Sequence, residues 1–213
     1  MLNMKGYSYI VARDYGFAPN PFDGYCTLAT CKPKIRKHLD IGDIVFGISP
    51  AKMGNKLIYA MKVKEKISFN EYWNHSEFQK KKPVLNGSLK KTYGDNIYYF
   101  DSELNQWHQA DSHHSHEGGV INIDNLKRDT STTDKVLIGN EYFYFGSKQI
   151  ELSEKFKNIL ARWNTGTILG ISEKKITEEE CMSIWNWLTS KYSFGLHGFP
   201  SLFAKGFERY DGK

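Results

Sequence analysis

The chain has 213 residues, 40% of them hydrophobic and 25% charged, enough for one domain with a sizeable core. No apolar run is long enough to span a bilayer, and the N-terminus MLNMKGYSYIVARDYG meets polar and charged residues too early for a secretory segment, so a cytoplasmic location is expected. Three cysteines suit reduced thiols better than a disulfide framework, and the net charge of +5 admits a polyanionic partner.

In chain order, Tyr7 to Ala12 reads as a first strand. The stretch RDYGFAPNPFDGYCTLATCKPKIRK, Arg13 to Lys37, follows it with four aromatics, three prolines, two cysteines and a basic cluster, far more than a plain connection needs. Tyr15, Phe17 and Phe22 can stack on a flat ligand, Asp14 and Asn20 can read its polar edge, and Lys32, Lys34 and Arg36 can meet an anion. The gap between Cys26 and Cys31 is too wide for a thioredoxin-type pair, and no second pair completes a zinc site. Cys26 reads as buried packing. Cys31 stays open as a nucleophile, because the cations after it would lower a nearby thiol's pKa.

Ile44 to Ile48 and Lys56 to Lys64 read as a hairpin with a longer loop. Leu57, Tyr59, Met61 and Val63 should share a buried face while Lys62 and Lys64 face water. Ser68 and Glu71 fit a capping box opening a short helix through Tyr72 and Trp73. Val136 to Ile138 and Tyr142 to Phe145 read as strands joined by Gly139-Asn140. Basic groups gather in the first half, around Lys32 to Lys37, Lys62 to Lys66 and Lys80 to Lys82, the pattern of a positive face for nucleic acid or of solvated surface.

Residues 79–134 show little periodicity apart from NIYYF at Asn96 and VINI at Val120, and so long a segment is functional or mobile. Asp95 lies here, as does WHQADSHHSHEGG, Trp107 to Gly119, in which His108, Asp111, His113, His114, His116 and Glu117 fall close together. The plainer reading is a polar loop in which one imidazole binds a backbone group or phosphate; a transition metal held by His113, His114 and His116 comes second. Trp107 is a further stacking candidate. Two helices close the chain. Ser153 caps the first, with Phe156, Ile159, Leu160 and Trp163 as its apolar stripe. Thr177 and Glu180 box the second, with Cys181, Ile184, Trp185 and Leu188 on one face before Gly195.

The succession DYGFAPNPF, CTLATCKPKIRKHLDIGDIVFGIS, KLIYAMKVKEKISFNEYW, GDNIYY and DKVLIGNEYFYFG resembles the second type of nucleotide-modification-associated domain, a family found beside phage and bacterial systems that alter DNA bases. IGDIVFGIS followed by LIYAMKVKE is also similar to the start of EVE, ASCH and PUA-like barrels, whose cleft holds a nucleobase. The resemblance implies a substrate class and supplies no mechanism.

The expected fold is α+β, a small, strongly bent mixed β-sheet or PUA-like β-barrel flanked by two C-terminal helices. It forms a single domain over residues 1–213, with a barrel-like core over 1–150 and a helical extension over 151–213. The expected function is recognition of a modified or extruded base, in DNA or a nucleotide, in an aromatic pocket, with no membrane partner. The alternative is an enzyme that modifies or hydrolyses a nucleotide, with Asp95, His113, His116 or Cys31 as catalytic candidates. No glycine-rich phosphate loop, dinucleotide fingerprint or complete nucleophile triad is legible in the sequence.

Overall fold

The computed structural model describes residues 4–161 and 176–210. Strand β1 (Gly6–Ile10) leads through the long opening loop to β2 (Cys26–Leu28) and helix α1 (Pro33–His38), then to β3 (Ile44–Ile48), β4 (Leu57–Lys62) and β5 (Glu65–Ser68). Helices α2 (Phe69–Asn74) and α3 (Leu89–Thr92) precede the hairpin β6 (Tyr98–Asp101) and β7 (Gln106–Gln109). Helix α4 (Ile123–Thr130), β8 (Lys135–Gly139), β9 (Tyr142–Tyr144), α5 (Glu154–Leu160), α6 (Glu178–Lys191) and β10 (Gly195–Leu196) complete the described chain.

Local chemistry sets the helix starts. The Ser68 hydroxyl accepts from Glu71 N at 3.1 Å while the Glu71 carboxylate accepts from Ser68 N at 2.6 Å, closing the expected capping box. Thr177 and Glu180 do the same for α6, and the Ser153 side chain accepts from Phe156 N at 3.3 Å to cap α5. Helix α6 ends at Lys191, four residues before Gly195, because Tyr192 leaves the helical conformation. Trp163, assigned to the α5 stripe from its spacing, lies outside the described residues.

Among the described residues three sheets form, and none of them closes into a barrel, which corrects the expected closure. The main sheet has the order β1-β3-β4-β9-β10, with β1 parallel to β3 and β10 parallel to β9. The second has the order β2-β8-β5, and β6-β7 stands as a hairpin. Closure fails where the chain crosses over: β8 pairs with β2 and β5, and β9, one turn later, pairs with β4 in the other sheet. Gly139 and Asn140 therefore join two layers of the fold.

The main sheet is covered on both faces. Phe46, Ile48, Leu57, Ala60, Phe143 and Phe145 pack on Phe156, Ile159, Leu160, Ile184, Trp185 and Leu188 of the two C-terminal helices. On the other face Tyr9, Val45, Tyr59, Met61 and Tyr144 meet Leu28, Ile35, Leu39 and Leu137 of the second sheet and α1. A third apolar cluster, including Phe17, Phe69, Tyr72, Tyr93, Tyr98 and Leu126, joins the second sheet to α2, α4 and the hairpin. Strand β4 is thus buried through Met61 on both faces, whereas alternation alone anticipates one wet face. A bulge at Gly47/Ile48, where Ile48 pairs with Leu57 and Gly47 with Tyr59, turns Leu57 to the helix side and leaves Tyr59, Met61 and Val63 on the other. Lys64 is exposed and Lys62 half-buried, as the alternation requires at that end.

Gly47 lets the Tyr59 ring lie flat against β3, where its hydroxyl donates to Tyr9 Oη at 2.9 Å. A Cβ at Gly47 would stand 2.3 Å from Tyr59 Cε1 and 2.7 Å from Val11 Cγ2. Gly47→Ala should therefore destabilise the domain by about 1 to 3 kcal/mol through overpacking. Urea unfolding checks it; a change within error would show that the ring shifts freely.

Candidate active site

The opening loop, the histidine loop and α4 meet at one place. Cys31 sits between β2 and α1 with φ 55°, and Lys32 follows with φ 42°, two non-glycine residues in the left-handed region. Such a conformation costs about 1 to 3 kcal/mol per residue and persists only where the surroundings enforce it. Here they do. Cys31 N donates to Asp129 Oδ1 at 2.9 Å, and Arg36 Nε donates to Cys31 O at 2.9 Å, so the main chain is held from both sides. A strained strand-to-helix turn is a recurrent seat for a nucleophile, because it lifts the side chain out of the sheet.

Cys31 Sγ lies 3.8 Å from His114 Nε2, and His114 Nδ1 lies 2.9 Å from Asp129 Oδ2. A carboxylate only accepts, so Nδ1 carries the proton and Nε2 faces the sulfur. His114 and Asp129 are 1% and 0% exposed, and Cys31, half-buried, is the most exposed residue of the three. Tyr98 Oη donates to Asp129 Oδ2 at 3.0 Å, Arg128 Nε donates to Oδ1 at 3.1 Å, and an Arg36 guanidinium N–H donates to the Asp129 carbonyl. Phe17 packs edge-on against the His114 ring at 4.5 Å between centroids, fixing its plane.

Electrostatics follow from this packing. Burial works against the Asp129 carboxylate, but His114 first, then Arg128 and Arg36, hold it far below the usual carboxylate range. Burial likewise disfavours the charged His114 imidazole, and Asp129 and Cys31 outweigh it, lifting His114 above its ordinary value. Burial alone would raise the Cys31 thiol; the facing His114 and, after it, Arg128 bring it below the ordinary value despite the opposing Asp129. Both shifts run toward a more acidic thiol facing a more basic imidazole, which a carboxylate orients. Cys26 and Cys181 go the other way: burial pushes both thiols up, Cys181 to about 12.

Cys31, His114 and Asp129 are also the one convergent group of metal-ligand residue types among the described residues, with ligating atoms within 4.8 Å of one another. Their surroundings suit proton transfer better than an ion, since both Asp129 oxygens already accept two donors each and Arg128 Nη2 stands 3.3 Å from His114 Nδ1. His113 and His116, the other two imidazoles considered for a metal, are not members. The buried His113 ring turns to the Glu208 carbonyl and is pushed down to about 3 by burial and by His114, while His116 is exposed.

The remaining sequence candidates divide by location. Tyr15, Phe17 and Phe22 are buried, at 8%, 3% and 4% exposure, and pack on Tyr93, on the two histidines and on Phe203. Asp14 is buried and accepts from Gly16 N, Tyr144 Oη, Ser201 N and Ser201 Oγ, tying the opening loop to the C-terminal segment. Arg36 is fully buried and gives its N–H groups to main-chain carbonyls of Cys31, Asp129 and Lys135, whereas Lys34 is exposed. Lys32 rests its ammonium over the Tyr9 ring at 4.8 Å. Trp107 lines an open depression of about 250 Å³ with Ser68, Phe69, Asn70, Phe100 and Asp134, which shares no residue with the triad.

Asp95 and Asn20 belong to a second buried polar centre. Asp95 accepts from Thr27 Oγ1 at 2.7 Å and Tyr72 Oη at 2.8 Å, and the Lys81 ammonium donates to Asn20 O, Asn20 Oδ1 and Tyr25 O at 2.8 to 2.9 Å. Burial pushes Asp95 up to about 6 against the pull of Lys81, and burial brings Lys81 down to about 8 against Asp95. Every strong group there has a partner inside the protein, so Asp95 braces the opening loop against α2.

The sequence reading named Cys31 as a catalytic candidate and His114 only as a metal ligand, and did not name Asp129, Arg128, Tyr98 or the C-terminal Tyr210, which the structure brings beside them. VINI, one of the two periodic runs within residues 79–134, is the run into α4. The signal that marks the helix is Asn122, whose side chain accepts from Asn125 N at 3.0 Å as an N-cap, with Leu126 one turn later.

Fold and site together define an α+β protein with a cysteine–histidine–aspartate constellation on a strained turn. The chain belongs to the nucleotide modification associated domain 2 family, whose model matches residues 3–207. No curated protein and no solved structure matches the chain.

Two substitutions separate the buried centres. Asp129 has a depressed native pKa, so its stabilisation is present above the unfolded carboxylate value of about 4 and is lost as pH falls below it. Asp129→Asn should cost about 3 kcal/mol or more near neutral pH, show a shallower acid dependence than the parent, and slow alkylation of Cys31 because His114 loses its counter-charge. Urea melts across the acid range with parallel alkylation rates check it; an unchanged Cys31 rate would remove Asp129 from the site. Lys81→Met deprives the buried Asp95 of its cation, so the loss should be about 3 to 5 kcal/mol above the Asp95 titration and smaller below it, where the carboxyl takes a proton. Equal losses at about pH 5 and pH 8 would mean that Asp95 stays neutral throughout.

Proposed function

We propose that the protein is a thiol-dependent enzyme of nucleotide modification, with Cys31 as nucleophile, His114 as general acid and base, and Asp129 as the group that orients and charges His114. One observation carries this reading: a sulfur on a strained turn, 3.8 Å from an imidazole whose other nitrogen is 2.9 Å from a buried carboxylate. The family associates the chain with nucleotide modification, so the electrophile is an acyl or amide-type carbon on a nucleotide or its base.

Each step balances within the triad. The thiolate attacks the carbonyl carbon, a C–S bond forms, and the leaving amine or alcohol departs with the proton from His114 Nε2. An incoming water or amine then gives its proton to the neutral imidazole and attacks the thioester, the C–S bond breaks, and the thiolate–imidazolium pair returns. Asp129 keeps its charge throughout and stabilises the imidazolium. Cys31 N is engaged by Asp129, so the oxyanion is stabilised by other donors, of which the cations beside Cys31 are the nearest class.

Base recognition between aromatic rings is the other reading of the chain. It is supported less well, because Tyr15, Phe17 and Phe22 are buried against the protein's own rings.

The experiment is alkylation by iodoacetamide with peptide mapping and a pH series. Cys31 should be modified alone in the folded protein, with a midpoint below the ordinary thiol value of about 8.5, and His114→Gln should raise that midpoint. Nucleoside mass spectrometry of cells expressing the parent or Cys31→Ala should show a species that depends on the thiol. A Cys31 midpoint at or above that of a free thiol would overturn the nucleophile assignment.

A further inference from the structure

The surroundings of the triad carry far more positive charge than the triad itself needs. Arg36 is consumed by main-chain carbonyls, Arg128 gives only its Nε to Asp129, and Arg13 and Lys32 pair with no carboxylate among the described residues. Arg13 is exposed, and its Cζ lies 5.1 Å from the Tyr210 ring centroid; Arg128 Cζ lies 5.2 Å from the same ring. Arg128 Nη2 is in turn 3.4 Å from His114 Nε2, the atom that faces Cys31. Lys32 is the residue after Cys31, half-buried, with its ammonium over Tyr9. The nearby acids are occupied: Glu208 accepts from Tyr15 Oη, and Asp111 lies 2.7 Å from Arg209 Nη1.

Tyr210 is itself held in place. Its N–H donates to the His113 carbonyl at 2.7 Å and its carbonyl accepts from Asn125 Nδ2 at 2.9 Å, so the ring is a fixed platform for two guanidinium groups. A fixed ring flanked by two guanidiniums, with an ammonium on the residue next to the nucleophile, is a built arrangement for an anion with several oxygens.

We propose that Arg13, Lys32 and Arg128 form a phosphate cradle beside Cys31, so that the substrate of the thiol carries a phosphate held within reach of the triad. The proposal rests on Cys31 being the nucleophile and adds the chemical class of what it acts on. The phosphate belongs either to a free nucleotide or to a nucleic-acid strand.

Two alkylating agents that differ only in charge test the cradle and the nucleophile separately. Iodoacetamide is neutral and reports the thiolate; iodoacetate is anionic and reports the field around it. The iodoacetate to iodoacetamide rate ratio at Cys31 should exceed that of free cysteine about tenfold and fall as salt is added. Arg13→Gln and Lys32→Met should each lower the ratio more than they lower the iodoacetamide rate. Protection of Cys31 by a deoxynucleoside monophosphate at lower phosphate concentration than by a short single-stranded oligonucleotide assigns the site to a free nucleotide, and the reverse order assigns it to a strand. A parent ratio equal to that of free cysteine, with rapid iodoacetamide modification, removes the cradle and keeps the nucleophile. Slow modification by both reagents removes the nucleophile and the cradle with it.

Discussion

The fold of the site depends on one buried carboxylate. Asp129 has no exposed surface, and an ionised carboxylate in that position is tolerated only when its oxygens are filled. Two donors reach each oxygen: Cys31 N and Arg128 Nε on one, His114 Nδ1 and Tyr98 Oη on the other. Those donors come from the β2–α1 turn, α4 itself, the histidine loop and β6. What satisfies the charge therefore also sets the relative position of four segments that share no hydrogen-bonded ladder. Arg36 adds a fifth tie by joining the Asp129 carbonyl to the Cys31 carbonyl, so the strained turn and α4 are held together along their main chains. The contact that solvates the carboxylate is also the one that aims the imidazole at the thiol.

Cys26 and Cys31 show how much the environment decides. They are five residues apart on one short stretch, and both lie in a dense interior, yet burial drives the Cys26 thiol up while the His114 imidazolium overcomes burial at Cys31. The same comparison holds between the two buried carboxylates. Asp95 faces two hydroxyls with Lys81 nearby, rises to about 6, and meets no nucleophile. Asp129 faces an imidazole and two guanidiniums and falls. Hydroxyls share a proton's hydrogen bonds without adding charge, whereas cations favour the anion directly, so only the second centre can keep a charged imidazole in the interior.

Short-range features were legible in the sequence. The capping boxes at Ser68/Glu71 and Thr177/Glu180, the Ser153 cap, the strand at Ile44–Ile48 and the C-terminal helices depend on residues within a few positions of one another, and the structure has them. The sheet assembly was not, because the turn at Gly139-Asn140 looks the same whether it closes a hairpin or passes between layers. Nor was the bulge that sends Leu57 and Tyr59 to different clusters. The triad is the extreme case: Cys31 and His114 are 83 positions apart, Cys31 and Asp129 are 98 apart, and α4 is a short, mostly polar helix in which Ile123 and Leu126 are the apolar residues. Residue type nominated the thiol and the imidazole; only the tertiary packing could supply the acid.

The aromatic richness of the opening loop has a physical reason in this arrangement. A buried imidazole held between a thiol and a carboxylate needs a rigid, water-poor wall, since a mobile ring would let solvent screen the contacts. Phe17 stands edge-on to both His113 and His114, Tyr15 stacks on Tyr93 at 5.2 Å, and Asp14 binds the C-terminal segment through Ser201. That segment returns Tyr210 to the histidines, and the Tyr210 ring takes both Arg13 and Arg128 against it. The loop that looks built to stack a ligand thus packs its rings on the protein's own buried imidazoles, and the cations at its two ends, Arg13 and Lys32, rest against the Tyr210 and Tyr9 rings.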